Sequence, residues 1–169
     1  VALHDAGFPD ELLARWLVAY WCFYDTGLAS YLSEYEGNDF WHAMAVAAAN
    51  EEPAPTGGRW PRGKERRHFR GEQSRKTVRQ LWKRYGDRPE NMVEYIAGNG
   101  GSFAALAQRV KQHYNFGDWI AFKIGDNMER VVGVPGDFTE ADVFMFKDPK
   151  KAALLLWRCR EGLPDTARP

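Results

Sequence analysis

Ser102-Phe-Ala-Ala-Leu-Ala-Gln-Arg-Val-Lys-Gln-His-Tyr114, Asn115-Phe-Gly117 and Asp118-Trp-Ile-Ala-Phe-Lys-Ile-Gly-Asp-Asn-Met-Glu-Arg-Val-Val132 form the stretch that decides the fold. Apolar residues recur at spacings of three and four on both sides of a three-residue break, which predicts two helices joined by a tight, Gly-bearing turn. Ser102, after Gly100-Gly101, marks the first start, and Asp118 opens the second helix. The unpaired N–H groups at that second start can receive a phosphate, with Asn115 and Gly117 in the turn beside it. Gly117 is expected to hold positive φ, so that Gly117→Val would damage the turn. On the second helix Trp119, Lys123, Asp126 and Arg130 share a face, while Ile120, Ile124 and Val131 take the core side. A polar row of this kind serves equally as a surface ion-pair row or a site; the flanking Trp119 and Phe122 favour a site.

Outward from this hairpin the same periodicity continues, and Val, Ile and Thr runs are scarce. Helices are expected at about 9–25, 28–35, 38–50 with Asn38 as N-cap, 74–85, 89–97, 139–146 and 149–161, with Thr139 and Asp148 marking the last two starts. Residues 51–63 read as a loop, rich in Pro and Gly. The expected architecture is a single, compact all-α domain over 1–169, with eight or nine short helices, a basic loop at 51–73 and the hairpin unit at 102–132. Cys22 and Cys159 are too far apart for a metal clip and are expected as reduced core residues. The apolar share of 44% excludes wholesale disorder. No apolar run reaches the roughly 18 residues of a membrane helix, and acids stand at the N-terminus where a signal peptide carries bases. The expected location is therefore the cytoplasm, that of the host cell if a phage encodes the chain. The missing initiating Met and the loose Asp165–Pro169 tail predict a piece of a longer protein.

Charge is balanced overall, at 23 bases and 23 acids, but it is not evenly placed. Residues 1–58 hold nine acids against Arg15 alone, whereas 59–130 hold sixteen bases and eight acids. Arg59, Arg62, Lys64, Arg66, Arg67, Arg70, Arg75 and Lys76 fall within eighteen residues, with Trp60, His68 and Phe69 interleaved. Arg forks grip phosphate oxygens and aromatic faces stack on unpaired bases, so the segment suits a nucleic-acid backbone or a pyrophosphate. Gly58-Arg-Trp-Pro-Arg-Gly63-Lys64 has the spacing of a phosphate-binding loop, but Glu65 stands where Ser or Thr would hold magnesium and no hydrophobic strand precedes it. His4, His42, His68 and His113 are scattered, and His42 on its Ala-rich helix is expected to be packed rather than a ligand. Neither metal nor cofactor is expected.

The hairpin, the following helix, Gly133-Val-Pro135 and then Asp142 resemble the helix–hairpin–helix DNA glycosylase fold. Asn115 or Tyr114 stands at the hairpin's first Gly, and Trp119 and Ile120 occupy the place of the lysine of the bifunctional lyases. Within that superfamily, Phe116-Gly-Asp-Trp-Ile-Ala-Phe-Lys-Ile-Gly-Asp126 followed by Arg130 is similar to the phage alpha-glutamyl/putrescinyl thymine pyrophosphorylases, or amino acid:DNA transferases. The resemblance is strongest over about 66–130. It implies displacement of pyrophosphate from activated 5-hydroxymethyluracil in double-stranded DNA and attachment of an amino acid or polyamine. Such chemistry needs cations on the leaving group, a carboxylate for the incoming ammonium and a pocket for an extruded base. The resemblance thus implies phosphate contacts from the basic segment and Arg130, catalytic roles for Asp126, Lys123 and in reserve Asp142, and base stacking by Trp60, Trp119 and Phe122. Two other readings stay open: a monofunctional DNA glycosylase using Asp142, and a DNA-binding module without catalysis.

Overall fold

A computed structural model describes residue 7 and residues 9–134, 136–138 and 147–160. The fold is all-α, as the periodicity predicts, with eight α-helices among the described residues. In chain order they are α1 (Asp10–Phe23), α2 (Thr26–Ser33), α3 (Gly37–Ala49), α4 (Glu72–Tyr85), α5 (Glu90–Ala97), α6 (Phe103–Lys111), α7 (Asp118–Asn127) and α8 (Lys147–Arg160). The extended segments β1 (Gly101–Ser102) and β2 (Gly136–Asp137) pair in parallel, with Gly101 opposite Gly136 and Ser102 opposite Asp137. Contacts divide the chain into two units, Val1–Asp137 and Phe138–Pro169. The second unit contributes α8, on which Leu154, Leu155, Leu156 and Trp157 are exposed. The expected helix at 139–146, its cap Thr139, Asp142 and Pro135 lie outside the described residues.

In the first unit α1 packs on α2 and α5, α3 on α4, and α6 on α7. Short connections favour such neighbours, and each helix contributes an apolar stripe. Val18, Trp21, Cys22 and Phe23 of α1 are fully buried, as are Phe40, Trp41 and Met44 of α3 and Ile124 of α7. Arg15, the lone base of the acidic third, is buried on α1. It donates to the Ser33 carbonyl at 3.0 Å and pairs with Glu90 at 3.2 Å and Glu36 at 3.4 Å, tying α1 to both its partners. A charge removed from water is costly unless hydrogen bonds or an opposite charge compensate it, as here. No helix among the described residues is long and apolar enough to cross a membrane.

Several boundaries differ from the sequence expectation for identifiable reasons. The N-cap of α3 is Glu36, and Asn38 is instead inside the helix, accepting the Trp82 indole N–H at 2.9 Å. Helix α6 ends at Lys111, three residues early, because the buried His113 ring turns back and its Nδ1 meets the Val110 carbonyl at 2.8 Å. Helix α8 begins at Lys147, so Asp148 lies within its first turn and does not precede it. After Asn127 the chain continues as a π-helical turn, Met128–Val132, closed by Gly133 at φ +75°. That wider winding rotates the stripe: Met128 is fully buried and Val131, expected in the core, is half-buried. Cys22 is a core residue, its thiol pushed up to about 12 chiefly by burial, whereas Cys159 is exposed and not a core residue.

Candidate functional site

The connection between α6 and α7 is the tight turn that the sequence predicts, with its strain elsewhere. Asn115 holds the left-handed conformation at φ +65°, while Gly117 is the N-cap of α7 at φ −102° and ψ −169°, with open space around it. Asn is among the few L-residues that visit this region routinely, so it replaces the hairpin glycine at modest cost. The expectation of a positive-φ Gly117 is therefore corrected: extended backbone suits any residue there. Lys111 and Asp118 form an ion pair of 2.8 Å across the turn. Phe116 is buried beneath it, packed on the His113 ring.

The basic segment is in large part a strap. Gly63 donates its N–H to the Phe23 carbonyl at 3.1 Å, and a Cβ on Gly63 would stand 2.2 Å from the Tyr24 carbonyl oxygen. Only glycine permits this approach, and with a short 3₁₀ turn at Lys64–Arg66 following it and no preceding strand among the described residues, the phosphate-loop spacing has a structural meaning. Arg62 donates to the carbonyls of Phe69 at 2.9 Å, Pro61 at 2.7 Å and Ala47 at 2.5 Å, and lies 4.4 Å above the Phe23 ring. Burial, and then the neighbouring Arg70 charge, lower its pKa to about 9, which leaves it cationic at neutral pH. Arg66 donates to the Trp21 carbonyl at 3.0 Å and to the Asn115 carbonyl at 3.5 Å, between the Phe69 and Phe116 rings, and so fastens the hairpin turn to α1. Its pKa is lowered by burial.

Arg70 holds Asn50 Oδ1 at 2.7 Å and the Trp60 carbonyl at 3.0 Å, and Arg75 is shared between Glu51 and Glu72. Trp60 is 5% exposed, with its indole N–H donating to the Glu52 carbonyl at 3.0 Å. Of the segment's cations, Arg59, Lys64, Arg67 and Lys76 are exposed. Lys76 lies 5.1 Å from the Tyr114 ring centre, and the Arg67 guanidinium donates to the Lys64 carbonyl at 3.3 Å.

On α7 the expected face is present. Lys123 Nζ lies 5.7 Å from the Trp119 ring centre, and Asp126 accepts from Arg130 Nε at 2.6 Å across one helical turn. Asp126 remains 42% exposed despite this pair. Ile120 and Ile124 are buried beneath, and Phe122 packs edge-on against Phe103 at 6.0 Å. What the sequence pattern missed is the opposing wall. Tyr24 ends α1 in the left-handed conformation, φ +54°, which turns its ring onto Trp119 at 5.4 Å and 62°. Tyr20 stacks on Tyr24 at 4.7 Å and Trp16 on Tyr20 at 4.9 Å, making a row of aromatic rings that meets α7.

Burial raises the Tyr24 phenol's pKa, and the Tyr20 hydroxyl and the negative charges of Glu65 and Asp126 raise it further. Tyr24 is thus a neutral hydroxyl beside the α7 face. The four-residue recurrence of Trp16, Tyr20 and Tyr24 was the available signal. The patch joins a carboxylate, an amine, a phenol and an indole, which can hold an ammonium, donate to an oxygen and cover a planar ring. Among the described residues no group of side chains suits a metal ion.

Comparison with known proteins adds identity to this geometry. The family model described as "Amino acid:DNA transferase" matches residues 2–168. A "Glycinyltransferase" of Pseudomonas phage PaMx11 is 51% identical over 165 residues, which is 98% of this chain and 56% of that protein. The chain thus spans about half the length of this curated relative.

Proposed function

The chain belongs to the amino acid:DNA transferase family, and on that premise we propose that it catalyses substitution at a modified base in DNA, displacing pyrophosphate from activated 5-hydroxymethyluracil and attaching an amino acid or polyamine. Glycine is the first co-substrate to test, since the phage relative is named a glycinyltransferase. The observation that carries the proposal is the packing of Tyr24, at the end of α1, on Trp119 of α7, whose same face holds Lys123 and Asp126.

In this reading Asp126 takes the proton that the ammonium must lose before its nitrogen attacks the methylene carbon. The new carbon–nitrogen bond forms as the carbon–oxygen bond to pyrophosphate breaks, and pyrophosphate departs with that electron pair. Lys123 and Arg130 face the departing charge, and Tyr24 donates a hydrogen bond to it. Trp119 and Phe122 cover an extruded base. Arg59, Lys64, Arg67 and Lys76 contact the DNA backbone with the N-terminus of α7, beside Asn115 and Gly117, while Arg62, Arg66, Arg70 and Arg75 set the shape of the surface from which those contacts are made. Trp60, being buried, supports the loop.

The test is incubation with duplex DNA carrying pyrophosphorylated 5-hydroxymethyluracil and glycine, followed by mass analysis of the nucleosides and assay of free pyrophosphate. The proposal expects pyrophosphate release matched by an aminomethyl adduct. Alkali-labile abasic sites formed without any amine would instead establish the glycosylase, with Asp142 as its candidate acid or base. DNA binding with neither product would leave a binding module.

A further inference from the structure

Of the described histidines, His42 and His68 are exposed, the former against the expectation that it packs, and His113 alone is buried. It sits where α6 gives way to the hairpin turn, and the proposed mechanism makes no use of it. Two neighbouring side chains, Gln112 and His113, fasten this end of the helix to α4 and α5. Tyr95 of α5 donates its hydroxyl to Gln112 Oε1 at 2.5 Å, and Arg84 of α4 donates to the same oxygen at 3.4 Å. His113 meets the Tyr85 hydroxyl through Nε2 at 2.5 Å and the Val110 carbonyl through Nδ1 at 2.8 Å. Its ring stacks on Tyr85 at 5.7 Å and packs on Phe116, also at 5.7 Å. Phe116 in turn lies under Arg66, which donates to the Asn115 carbonyl. The turn that leads into α7 is thus seated on an imidazole.

That seat holds only while the ring is neutral. A carbonyl can only accept, so Nδ1 carries the proton and Nε2 is left to accept from Tyr85. A second proton, on Nε2, removes that acceptor and strands a charge in a buried place. Among the described residues no carboxylate is bonded to the ring. The charged side chains of the surrounding elements offer no remedy. Arg84 is a like charge, Arg109 is turned to the Ile96 and Ala97 carbonyls, Arg66 stands at Phe116, and Lys111 and Asp118 pair with each other. Glu94, next to Tyr95, lines a cleft with Leu13 and Leu17 of α1 instead. Burial and the Arg84 charge both favour the neutral ring.

We infer that Tyr85 and His113 are positioning residues for the transfer reaction: their hydrogen bond holds the turn at 115–117, and with it the start of α7, in the shape that engages the DNA backbone. The inference rests on the reading of that turn as a DNA contact. Both residues are buried and act through the turn. A turn that is competent only with a neutral ring loses duplex affinity as pH falls through the His113 midpoint, which lies below the ordinary 6.5. Exposed histidines act the other way. Protonated His68, in the strap, gains a charge that attracts phosphate, so the two effects differ in sign.

Nuclear magnetic resonance and duplex binding, followed on the same samples as the pH is lowered from neutral, test this. The amide signals of Asn115 and Gly117 should shift with the midpoint of the His113 ring. Duplex affinity should fall through that midpoint by up to about tenfold for each pH unit below it. His113→Gln keeps an acceptor at the Nε2 position without a titrating proton, so it should bind within about threefold of the wild type at neutral pH and show no such fall. Tyr85→Phe keeps the ring but leaves Nε2 without its donor, and should weaken neutral-pH binding by about fivefold. Circular dichroism checks each fold; if Tyr85→Phe does not fold, the comparison of the wild type with His113→Gln decides. Turn amides indifferent to the His113 titration would overturn the inference, as would the same pH course of affinity in the wild type and His113→Gln. In both of those cases the wild type binds duplex, so the DNA reading survives. A wild type that binds no duplex at neutral pH would instead overturn that reading, and the inference with it.

Discussion

The strap at 59–76 and the face of α7 both announce themselves in the sequence as clusters of charge with aromatic neighbours, yet the structure uses them in opposite ways. On α7, helical spacing decides the geometry, and Lys123, Asp126 and Arg130 stay on the surface beside Trp119. In the strap before α4 the chain is largely irregular, and Arg62, Arg66 and Arg70 are turned inward onto backbone carbonyls. A guanidinium carries five donors and can serve irregular backbone as well as a phosphate, so a count of arginines cannot tell scaffold from contact.

The largest stability effect should separate two neighbouring arginines. Arg66→Ala deprives the Trp21 and Asn115 carbonyls of their donor and empties the space between Phe69 and Phe116, so it should destabilise by about 3 kcal/mol in urea denaturation. Exposed Arg67→Ala should stay within about 0.5 kcal/mol. Equal losses would break the division of the strap into scaffold and contact. Gly63→Ala comes next at roughly 2 kcal/mol, because the backbone at Tyr24 must give way. The same change at Gly117 meets open space and should cost under about 1 kcal/mol, with DNA binding retained.

A smaller, pH-dependent loss should come from His113, one of the four histidines scattered along the sequence. Its Nδ1–H donates to the Val110 carbonyl, which leaves Nε2 to accept the Tyr85 hydroxyl at 2.5 Å. Burial is the main cause that lowers its pKa below the ordinary 6.5, while the same burial raises the Tyr85 phenol to about 12. The unfolded chain therefore binds the proton more readily than the native one. Stability is full above pH 6.5 and falls as pH drops below it, toward the depressed native value. A pH series of thermal melts should show this slope, and His113→Gln should flatten it; a slope unchanged in the variant would assign the effect to carboxylates instead. Smallest in stability terms is Arg59→Ala with Arg67→Ala. The pair should leave the melting temperature alone but flatten log K against log salt for duplex DNA by up to roughly 1.8, about 0.9 per lost phosphate contact. No change in slope would remove both from the DNA surface.

The same contrast explains what was legible. Periodicity found every described helix to within a few residues, and Ser102 caps α6 as its position predicts, accepting the Ala105 N–H at 3.3 Å. Boundaries moved where a single side chain or winding intervened, as with the His113 ring and the π turn at 128–132, neither of which has a local sequence rule. Half of the candidate site was visible for the same reason. Trp119, Lys123 and Asp126 lie on one helix, whereas Tyr24 reaches them through a tertiary contact set by the left-handed end of α1. The opposing wall is nearly a hundred residues away in the chain, beyond the range of any spacing argument.

In the proposed mechanism the α7 face performs chemistry while the strap supports it, and Asp126 is where the two roles part. Single-turnover transfer of labelled glycine to pyrophosphorylated 5-hydroxymethyluracil DNA should be compared for the wild type and Asp126→Asn, with duplex affinity measured on the same samples. The account predicts a loss of roughly 10²- to 10⁴-fold in the rate of adduct formation, with DNA affinity and melting temperature nearly unchanged. Wild-type turnover by Asp126→Asn would contradict it.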